Sequence, residues 1–289
     1  MMRLLVVILS VACLFSGRQN ESAAPGASNC VPVYTTVGKD VAYEAGEKLD
    51  FVLHYKWGII NSDIGTASIT LDTLRISSSK AFHCRVQGRT IRIFDKFFRV
   101  REDFNSYFSY DGLKPIRFTR DTHEGSYTAE NEYNYMWDAA KPYIDAKVFT
   151  SSIDSTKYLR LPLKECTFDL PSLFFFARNI DMSKVRPNVR YPMTFAIDDD
   201  IYDVYFIYRG KATRKVKGLG TVKCLKFAAK LLEGEVFKGD ADLDIYISDD
   251  LNRLPVLFGA PISVGEVEGR MVSYEGLKYP MTSLVEKEE

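Results

Sequence analysis

Several residue types and motifs are scarce in this sequence of 289 residues. Its five cysteines show no CxxC spacing and no paired histidines nearby, so the ligand pattern of a metal site is missing. Its three histidines lie on separate predicted elements, and the sequence contains no G-x-S-x-G, H-E-x-x-H or glycine-rich phosphate motif. We therefore expect no cofactor and no metal, and the absence of catalytic motifs favours a protein that is not an enzyme.

An excess of charge of one sign is also absent. Lysine plus arginine equals aspartate plus glutamate, at 38 each, so the chain as a whole creates no field that attracts nucleic acid. We expect no nucleic-acid partner. Tryptophan is rare, with 2 residues, whereas phenylalanine and tyrosine are abundant, with 19 and 17. Aromatic and β-branched residues favour half-buried pleated surfaces, so this composition indicates a protein rich in β-sheet.

One apolar run, Leu4 to Phe15, follows the positive charge of Arg3 and precedes a polar stretch. It is too short for a permanent transmembrane helix, which needs roughly 20 residues. A positive charge, a short apolar run and then small polar residues are typical of a secretory signal peptide, which we place at residues 1–17. We therefore expect an exported protein of the cell envelope, in the periplasm or associated with the outer membrane.

The cleavage point of this segment has two interpretations. Ser10 to Cys13 resembles a lipoprotein box, in which small residues precede a lipidated cysteine, although Ser10 stands where an aliphatic residue is usual. In that case Cys13 is a membrane tether. Alternatively, cleavage between Ser16 and Ala24 releases a protein without an anchor. Both interpretations predict export.

Residues 18–45 read as a flexible leader, residues 46–277 as a single β-rich domain and residues 278–289 as a tail. From Leu49 to Trp57 apolar and polar residues alternate strictly, the pattern of a strand with one buried face. Similar short runs, separated by turn residues such as Asp111-Gly112, recur along the chain. We predict an all-β, mainly antiparallel fold: a curved sheet, or an open β-barrel or half-barrel, with one short α-helix.

The helix is predicted at Leu170 to Asn179. Asp169 is its expected N-cap, Pro171 suits the first turn, and apolar residues then follow at helical spacing. Phe174, Phe175 and Phe176 make this helix apolar on more than one side. Such a helix either is buried on several sides or lines an apolar cavity. On the second interpretation, the ligand-binding residues are Phe174, Phe175, Phe176, Phe97 and Phe98.

A basic run precedes and follows Asp95. An arginine fork suits an anionic group such as a lipid phosphate. The alternative is that these side chains form the solvent face of strands whose other face is apolar. The candidate anion patch consists of Arg85, Arg89, Arg92, Arg99 and Arg101.

Two acidic motifs receive structural interpretations. Asp240, Asp242 and Asp244 have the spacing of calcium ligands, but Leu243 and the residues around it favour a strand with its acids outward. The segment Ser248 to Pro255 is predicted to be a hairpin loop, because its Asp and Asn side chains can bond turn backbone. A catalytic pair at Asp249 and Asp250 is disfavoured, since adjacent strand residues point to opposite faces.

Several blocks in order resemble the bacterial exported domain of unknown function 3108. The resemblance spans roughly Gly46 to Leu277 and implies a single β-rich domain of an exported bacterial protein of the Bacteroides type. It implies no activity and supplies no catalytic residues. The similar blocks are Gly46-Glu47-Lys48-Leu49, Tyr55-x-Trp57-Gly58-x-Ile60-Asn61, Asp95-Lys96-Phe97-Phe98, Arg120-Asp121, Ser248-Asp249-Asp250-x-Asn252-Arg253, Val264-Gly265 and Tyr274-x-Gly276-Leu277.

Three functions follow from the sequence. The first is non-enzymatic binding of an apolar or amphipathic ligand, such as a lipid, in the cavity of a curved β-sheet. The second is an interaction module that presents an aromatic sheet face, including Tyr127, Tyr133 and Tyr135, to an envelope protein or a glycan. The third is a hydrolase without a recognisable motif.

Overall fold

A computed structural model describes residues 30–230, 242–261 and 265–288. Sixteen strands and two short helices make up the described part of the chain. The strands are β1 Glu47–Trp57, β2 Ile60–Ile76, β3 Ser79–Thr90, β4 Val100–Ser109, β5 Pro115–Glu124, β6 Tyr127–Met136, β7 Tyr143–Thr150, β8 Ser155–Pro162, β9 Thr167–Phe168, β10 Arg190–Ile197, β11 Asp200–Val216, β12 Gly220–Lys230, β13 Asp242–Ser248, β14 Pro255–Pro261, β15 Glu266–Glu275 and β16 Leu284–Lys287. The helices are α1 Arg92–Asp95 and α2 Leu170–Ala177.

All the strands belong to one curved sheet. Its order is β8-β7-β6-β5-β4-β3-β2-β1-β15-β14-β13-β12-β11-β10-β9, with β16 paired to β12. Neighbours along this path run antiparallel, except that β9 and β10 are parallel. The outermost strands, β8 and β9, do not pair in the described part of the chain, so the sheet is not closed. The predicted class, all-β and mainly antiparallel with a curved sheet, is confirmed.

The alternation of the first strand shows why the sheet forms here. Leu49, Phe51, Leu53 and Tyr55 are buried on one face of β1, as their period-2 spacing predicts. The same face of the neighbouring β2 contributes Ala67, directly opposite Phe51. Burial of these aligned apolar rows stabilises both pairing and register, because a one-residue slip would turn each row to solvent.

Helix α2 packs against the apolar side of the sheet. It contacts β3, β4 and β10, and the ring of Phe175 lies 4.7 Å from that of Tyr43 and 5.8 Å from that of Phe108. The predicted N-cap is confirmed: the Asp169 carboxylate accepts a hydrogen bond from Ser172 N–H at 2.9 Å, and the Ser172 hydroxyl accepts one from Asp169 N–H at 3.1 Å.

Asp169 is fully buried, and burial raises the pKa of its carboxyl from 3.8 to about 6. Since the folded state binds the proton more tightly than the unfolded chain, the stabilisation is complete below about pH 4 and is lost as the pH rises through 6. Asp169→Asn keeps a capping oxygen and removes this titration. In urea unfolding, we expect the free energy of unfolding of the variant to rise relative to that of wild type by about 2.5 kcal/mol between pH 4 and 7. A difference that stays constant over that range would contradict this account.

Residues 30–45 are folded, which corrects the prediction of a flexible leader over that stretch. Val41, Ala42 and Tyr43 are buried, and Cys30 forms a disulfide with Cys166, with their Cα atoms 5.3 Å apart. This burial was not predictable from the local sequence because the packing partners are distant: the two cysteines of the disulfide are 136 residues apart. Residues 1–29, with the predicted signal peptide and Cys13, lie outside the described residues.

The predicted tail is also part of the fold. Ser283 is buried and donates a hydrogen bond to Asp250 at 2.6 Å, and β16 pairs with β12. The domain therefore extends past residue 277. Within the described ranges, no helix is both long enough and apolar enough to cross a membrane.

Candidate functional site

The five phenylalanines of the candidate ligand site fall into two groups. Phe175 and Phe176 are buried, the latter with its ring 4.5 Å from that of Phe168, and Phe174 is half-buried. Phe97 and Phe98 follow α1, the first 81% exposed and the second half-buried, so they form a separate group from the three on α2. Phe175 and Phe176 thus occupy the position of core residues. Ligand binding beside α2 stays a prediction.

The candidate anion patch is also divided. Arg85 forms a forked contact with Asp103, with Nε 3.0 Å from Oδ1, and Arg101 donates to Asp95 at 2.7 and 2.9 Å. The hydrogen bonds from Arg101 hold the pKa of the Asp95 carboxyl well below its usual range. These two arginines are therefore already neutralised by carboxylates of the protein.

The other three arginines of the patch are not neutralised by an ion pair within the described ranges. Arg89, Arg92 and Arg99 are exposed, and within the described ranges none of them forms an ion pair. Lys96 lies among them in sequence, and Lys56 is exposed at the end of β1. We call this set the basic collar: Lys56, Arg89, Arg92, Lys96 and Arg99.

Exposed apolar side chains lie at the same end of the sheet. The hairpin between β1 and β2 carries Trp57, Ile59 and Ile60, and Ile59 is fully exposed. The segment around α1 carries Ile93 and Phe97, exposed by 62% and 81%. We call these five side chains the apolar tip. Sequence alternation predicted that Trp57 is buried on the inner face of β1, which is wrong: Trp57 is 43% exposed, because the hairpin projects past the end of β3.

Two pairings place the hairpin and α1 at one end. The last pair between β2 and β3 is Gly65 with Thr90, so residues 60–64 extend beyond β3 by roughly 15 Å. The chain then turns into the α1 segment, and Ile91 N–H donates to the carbonyl of Ile64 at 3.0 Å. The two segments, 56–60 and 91–99, contain four bases and a single acid, Asp95, which Arg101 neutralises. These two segments are therefore both apolar and rich in positive charge, while Glu266 of the neighbouring β15 lies opposite Lys56.

A second set of polar groups lies inside the curved sheet. Arg120 donates to Thr122 at 2.7 Å and to Asp198 at 2.8 Å, and Thr122 donates to Glu102 at 2.6 Å. Burial raises the pKa of the Glu102 carboxyl well above its usual range. Tyr133 closes the cluster by donating to the Asp198 carbonyl at 2.6 Å. Because these side chains are buried and bonded to one another, they join β4, β5 and β6 to the β10–β11 turn.

The acidic motifs have structural roles. Asp250 accepts hydrogen bonds from Ser248 at 2.9 Å and from Asn252 N–H at 3.0 Å, which confirms the predicted hairpin loop. Asp249 instead pairs with Lys211 at 2.7 Å. Asp244 lies on β13, as the strand interpretation predicts, and Asp240 is outside the described residues. In the described part of the chain, no three His, Cys, Asp or Glu side chains come together as metal ligands.

A family model matches residues 50–272, and its description is "Protein of unknown function (DUF3108)". The chain belongs to the DUF3108 family. The match spans the sheet from β1 to β15 and both helices, so the family domain is the curved sheet itself. A comparison with curated proteins finds no match for this DUF3108 chain.

Two solved structures are similar to this DUF3108 chain. The first is a β-barrel-like protein of domain of unknown function DUF1849 from Brucella abortus, with a TM-score of 0.52 and 10% identity over 82% of this chain and 99% of that one. The second, a candidate exported protein with a YmcC-like fold from Bacteroides fragilis NCTC 9343, has a TM-score of 0.35 and 6% identity over 85% of this chain and 100% of that one. The first similarity shows a shared fold.

Proposed function

We propose that the protein is an exported, non-enzymatic binding protein whose ligand is an anionic amphipathic lipid at a membrane surface. The observation that carries the proposal is the apolar tip beside the basic collar at one end of the sheet. Apolar side chains at an exposed apex suit the boundary between headgroups and acyl chains, while lysine and arginine attract anionic headgroups. This assigns the amphipathic ligand to the end of the sheet rather than to its interior.

The apolar and electrostatic contributions are both large enough to matter. Each lysine or arginine near an anionic surface contributes about 1 kcal/mol, so the collar contributes roughly 5 kcal/mol. Full burial of one large apolar side chain contributes about 1.5–3 kcal/mol, and the tip offers several. Apolar insertion combined with a basic patch holds proteins at membrane surfaces, so we expect binding to depend on both.

Export is supported by two features. The apolar run from Leu4 to Phe15 has the layout of a signal peptide. The Cys30–Cys166 disulfide suits an oxidising compartment such as the periplasm, because disulfides rarely persist in the cytosol. Both features favour the envelope, where a membrane surface is available to the apolar tip.

The alternative function, in which an aromatic sheet face binds a partner protein or a glycan, has less support. Tyr133 and Tyr135 are buried, and the Tyr135 hydroxyl donates to Asp169 inside the fold at 3.3 Å. Their rings therefore point toward the core and offer no platform to an envelope protein. A group of five exposed apolar side chains lies instead at the hairpin and α1.

Binding to vesicles tests the proposal. Ile59→Asp and Phe97→Asp are expected to lower partitioning onto vesicles of phosphatidylglycerol and phosphatidylcholine by roughly 10-fold or more, because each removes about 1.5–3 kcal/mol of apolar burial. Co-sedimentation measures the bound fraction. Tyr158→Asp is the matched control: Tyr158 is 77% exposed but lies on β8, away from the tip, and its replacement should leave binding unchanged.

A charge-reversal variant and a salt titration test the electrostatic contribution in the same vesicle assay. Arg92→Glu should weaken binding to the anionic vesicles, and binding should fall as salt is raised, since exposed charges are screened. Equal binding to vesicles of pure phosphatidylcholine, or equal loss in the Tyr158→Asp control, would overturn the proposal.

A further inference from the structure

A cleft crosses the solvent-facing side of the sheet, opposite the side that packs against α2. Its volume is about 670 Å³, within the range of small-molecule sites. Six adjacent strands, β3 to β8, contribute side chains to it, so it runs across the strands for roughly 24 Å. It is separate from the apolar tip, whose residues do not line it.

Most of the lining forms two cross-strand rows, because strand pairing aligns side chains of the same face; Arg120 and Asn131, whose side chains bond to Asp198 on the other face, complete it. The first row contains Asp103, Asp121, Glu130, Phe149 and Thr156, which lie opposite one another in turn on neighbouring strands. The second row contains Arg85, Asn105, Thr119, Glu132 and Lys147.

The polar side chains at the β3–β4 end are held in place by each other. Asp103 accepts hydrogen bonds from Arg85 at 3.0 Å, from Gln87 at 3.1 Å and from Asn105 at 3.0 Å. The Asn105 oxygen lies 3.0 Å from His83 Nε2, and the His83 ring stacks on that of Tyr107 at 4.4 Å. Side chains that are already ordered lose little further entropy when they bind a ligand.

The chemistry of the lining selects a class of ligand. The second row carries donors and acceptors on successive strands, whereas the first row begins with three carboxylates, Asp103, Asp121 and Glu130. A molecule rich in hydroxyl groups suits both rows, since a hydroxyl can donate to carboxylates and also accept from donors. Phe149 adds one half-buried aromatic surface toward the β8 end. The rows contain four carboxylates against two bases, which disfavours polyanions such as nucleic acids and acidic polysaccharides.

We infer that this cleft binds an uncharged oligosaccharide that lies across the strands from β3 to β8. Asn105 and Thr119 bond its hydroxyl groups, and Phe149 packs against the apolar face of a sugar ring. The inference is independent of the proposed lipid binding, because the two sites share no residue.

Calorimetric titration of the full chain tests this site. The probes are short oligomers of glucose, of mannose, of galactose and of N-acetylglucosamine, with a galacturonic acid oligomer as the polyanion. We expect at least one uncharged oligomer to bind, and Phe149→Ala and Asn105→Ala each to weaken that binding by roughly 10-fold. Asp145→Ala, on the same face but outside the cleft, should leave it unchanged.

Three outcomes would overturn the inference. They are no binding of any uncharged oligomer at millimolar concentration, equally tight binding of the galacturonic acid oligomer, and undiminished binding by both cleft variants. Thermal unfolding of each variant checks that its fold is intact. Vesicle binding by Phe149→Ala should equal that of wild type, so failure here is distinguishable from failure of the lipid proposal.

Discussion

Arg178→Ala is expected to destabilise the fold by about 3–5 kcal/mol, because it leaves the Glu47 carboxylate buried without its partner. Both side chains of this ion pair are 1% exposed. Arg178 Nη2 donates to Glu47 at 2.8 Å, Nη1 makes a second contact with the same carboxylate, and Nε donates to the Asn252 carbonyl at 3.0 Å. The guanidinium also lies 5.1 Å from the ring centre of Tyr43.

This ion pair connects parts of the chain that are distant in sequence. Arg178 is the C-cap of α2, Glu47 begins β1, and Asn252 belongs to the loop between β13 and β14. One guanidinium thus joins the helix to the middle of the sheet.

Denaturant unfolding measures the loss of stability in Arg178→Ala. Arg117→Ala is the control, since its pair with Glu132 at 2.8 Å is exposed and should contribute less than about 1 kcal/mol. Similar losses in both variants would contradict the account.

Phe175→Ala is expected to cost about 3–5 kcal/mol, as truncation of a buried phenylalanine leaves a cavity that the core fills only in part. Phe175 has no exposed surface and packs against Tyr43, Phe108 and Phe174. The matched control is Phe97→Ala. Phe97 is 81% exposed, so the same chemical change should alter the free energy of unfolding by less than about 0.5 kcal/mol.

The comparison separates the two interpretations of the phenylalanine-rich helix. A large loss in Phe175→Ala and none in Phe97→Ala means that α2 is core and that Phe97 is available for a ligand. A loss below about 1 kcal/mol in Phe175→Ala would instead indicate a loosely packed helix beside a cavity. Denaturant midpoints and slopes from one titration series measure both variants.

Local pattern predicted β1 and α2 well, but it missed the short helix α1 and the strands β8, β9 and β16. The alternation from Leu49 to Trp57 gives the bounds of β1 to within two residues, and Asp169 marks the start of α2. The loop at Ser248 to Pro255 follows from Asp and Asn turn chemistry, and Asp250 and Asn252 bond as that chemistry requires. These features depend on neighbours in sequence, so one sequence was enough.

Long-range packing was not predictable in the same way. The segment from Cys30 to Tyr43 has a polar leader before it, and its burial depends on partners such as Cys166 and Phe175. The pairing of Glu47 with Arg178 spans 131 residues. Local periodicity in the sequence does not predict such contacts, because they form only when the sheet curves around α2.

The candidate site was found in part. The sequence singled out Phe97, Arg92 and Arg99, and the structure gathers them at the end where the β1–β2 hairpin projects. It missed Ile59, since one exposed isoleucine after Gly58 carries no signal in a strand pattern. The unusual density of apolar residues in Trp57 to Ile60, at a hairpin turn where polar residues are typical, was the signal that could have found it.

The fluorescence of Trp57 reports whether the apolar tip enters an anionic membrane. The chain has 2 tryptophans, so Trp137→Phe leaves Trp57 as the single probe, at the apolar tip. On addition of anionic vesicles, we expect a blue shift of its emission, which raised salt reverses and which vesicles of pure phosphatidylcholine do not produce. An emission maximum that stays that of a water-exposed indole at saturating anionic lipid would contradict the proposed function.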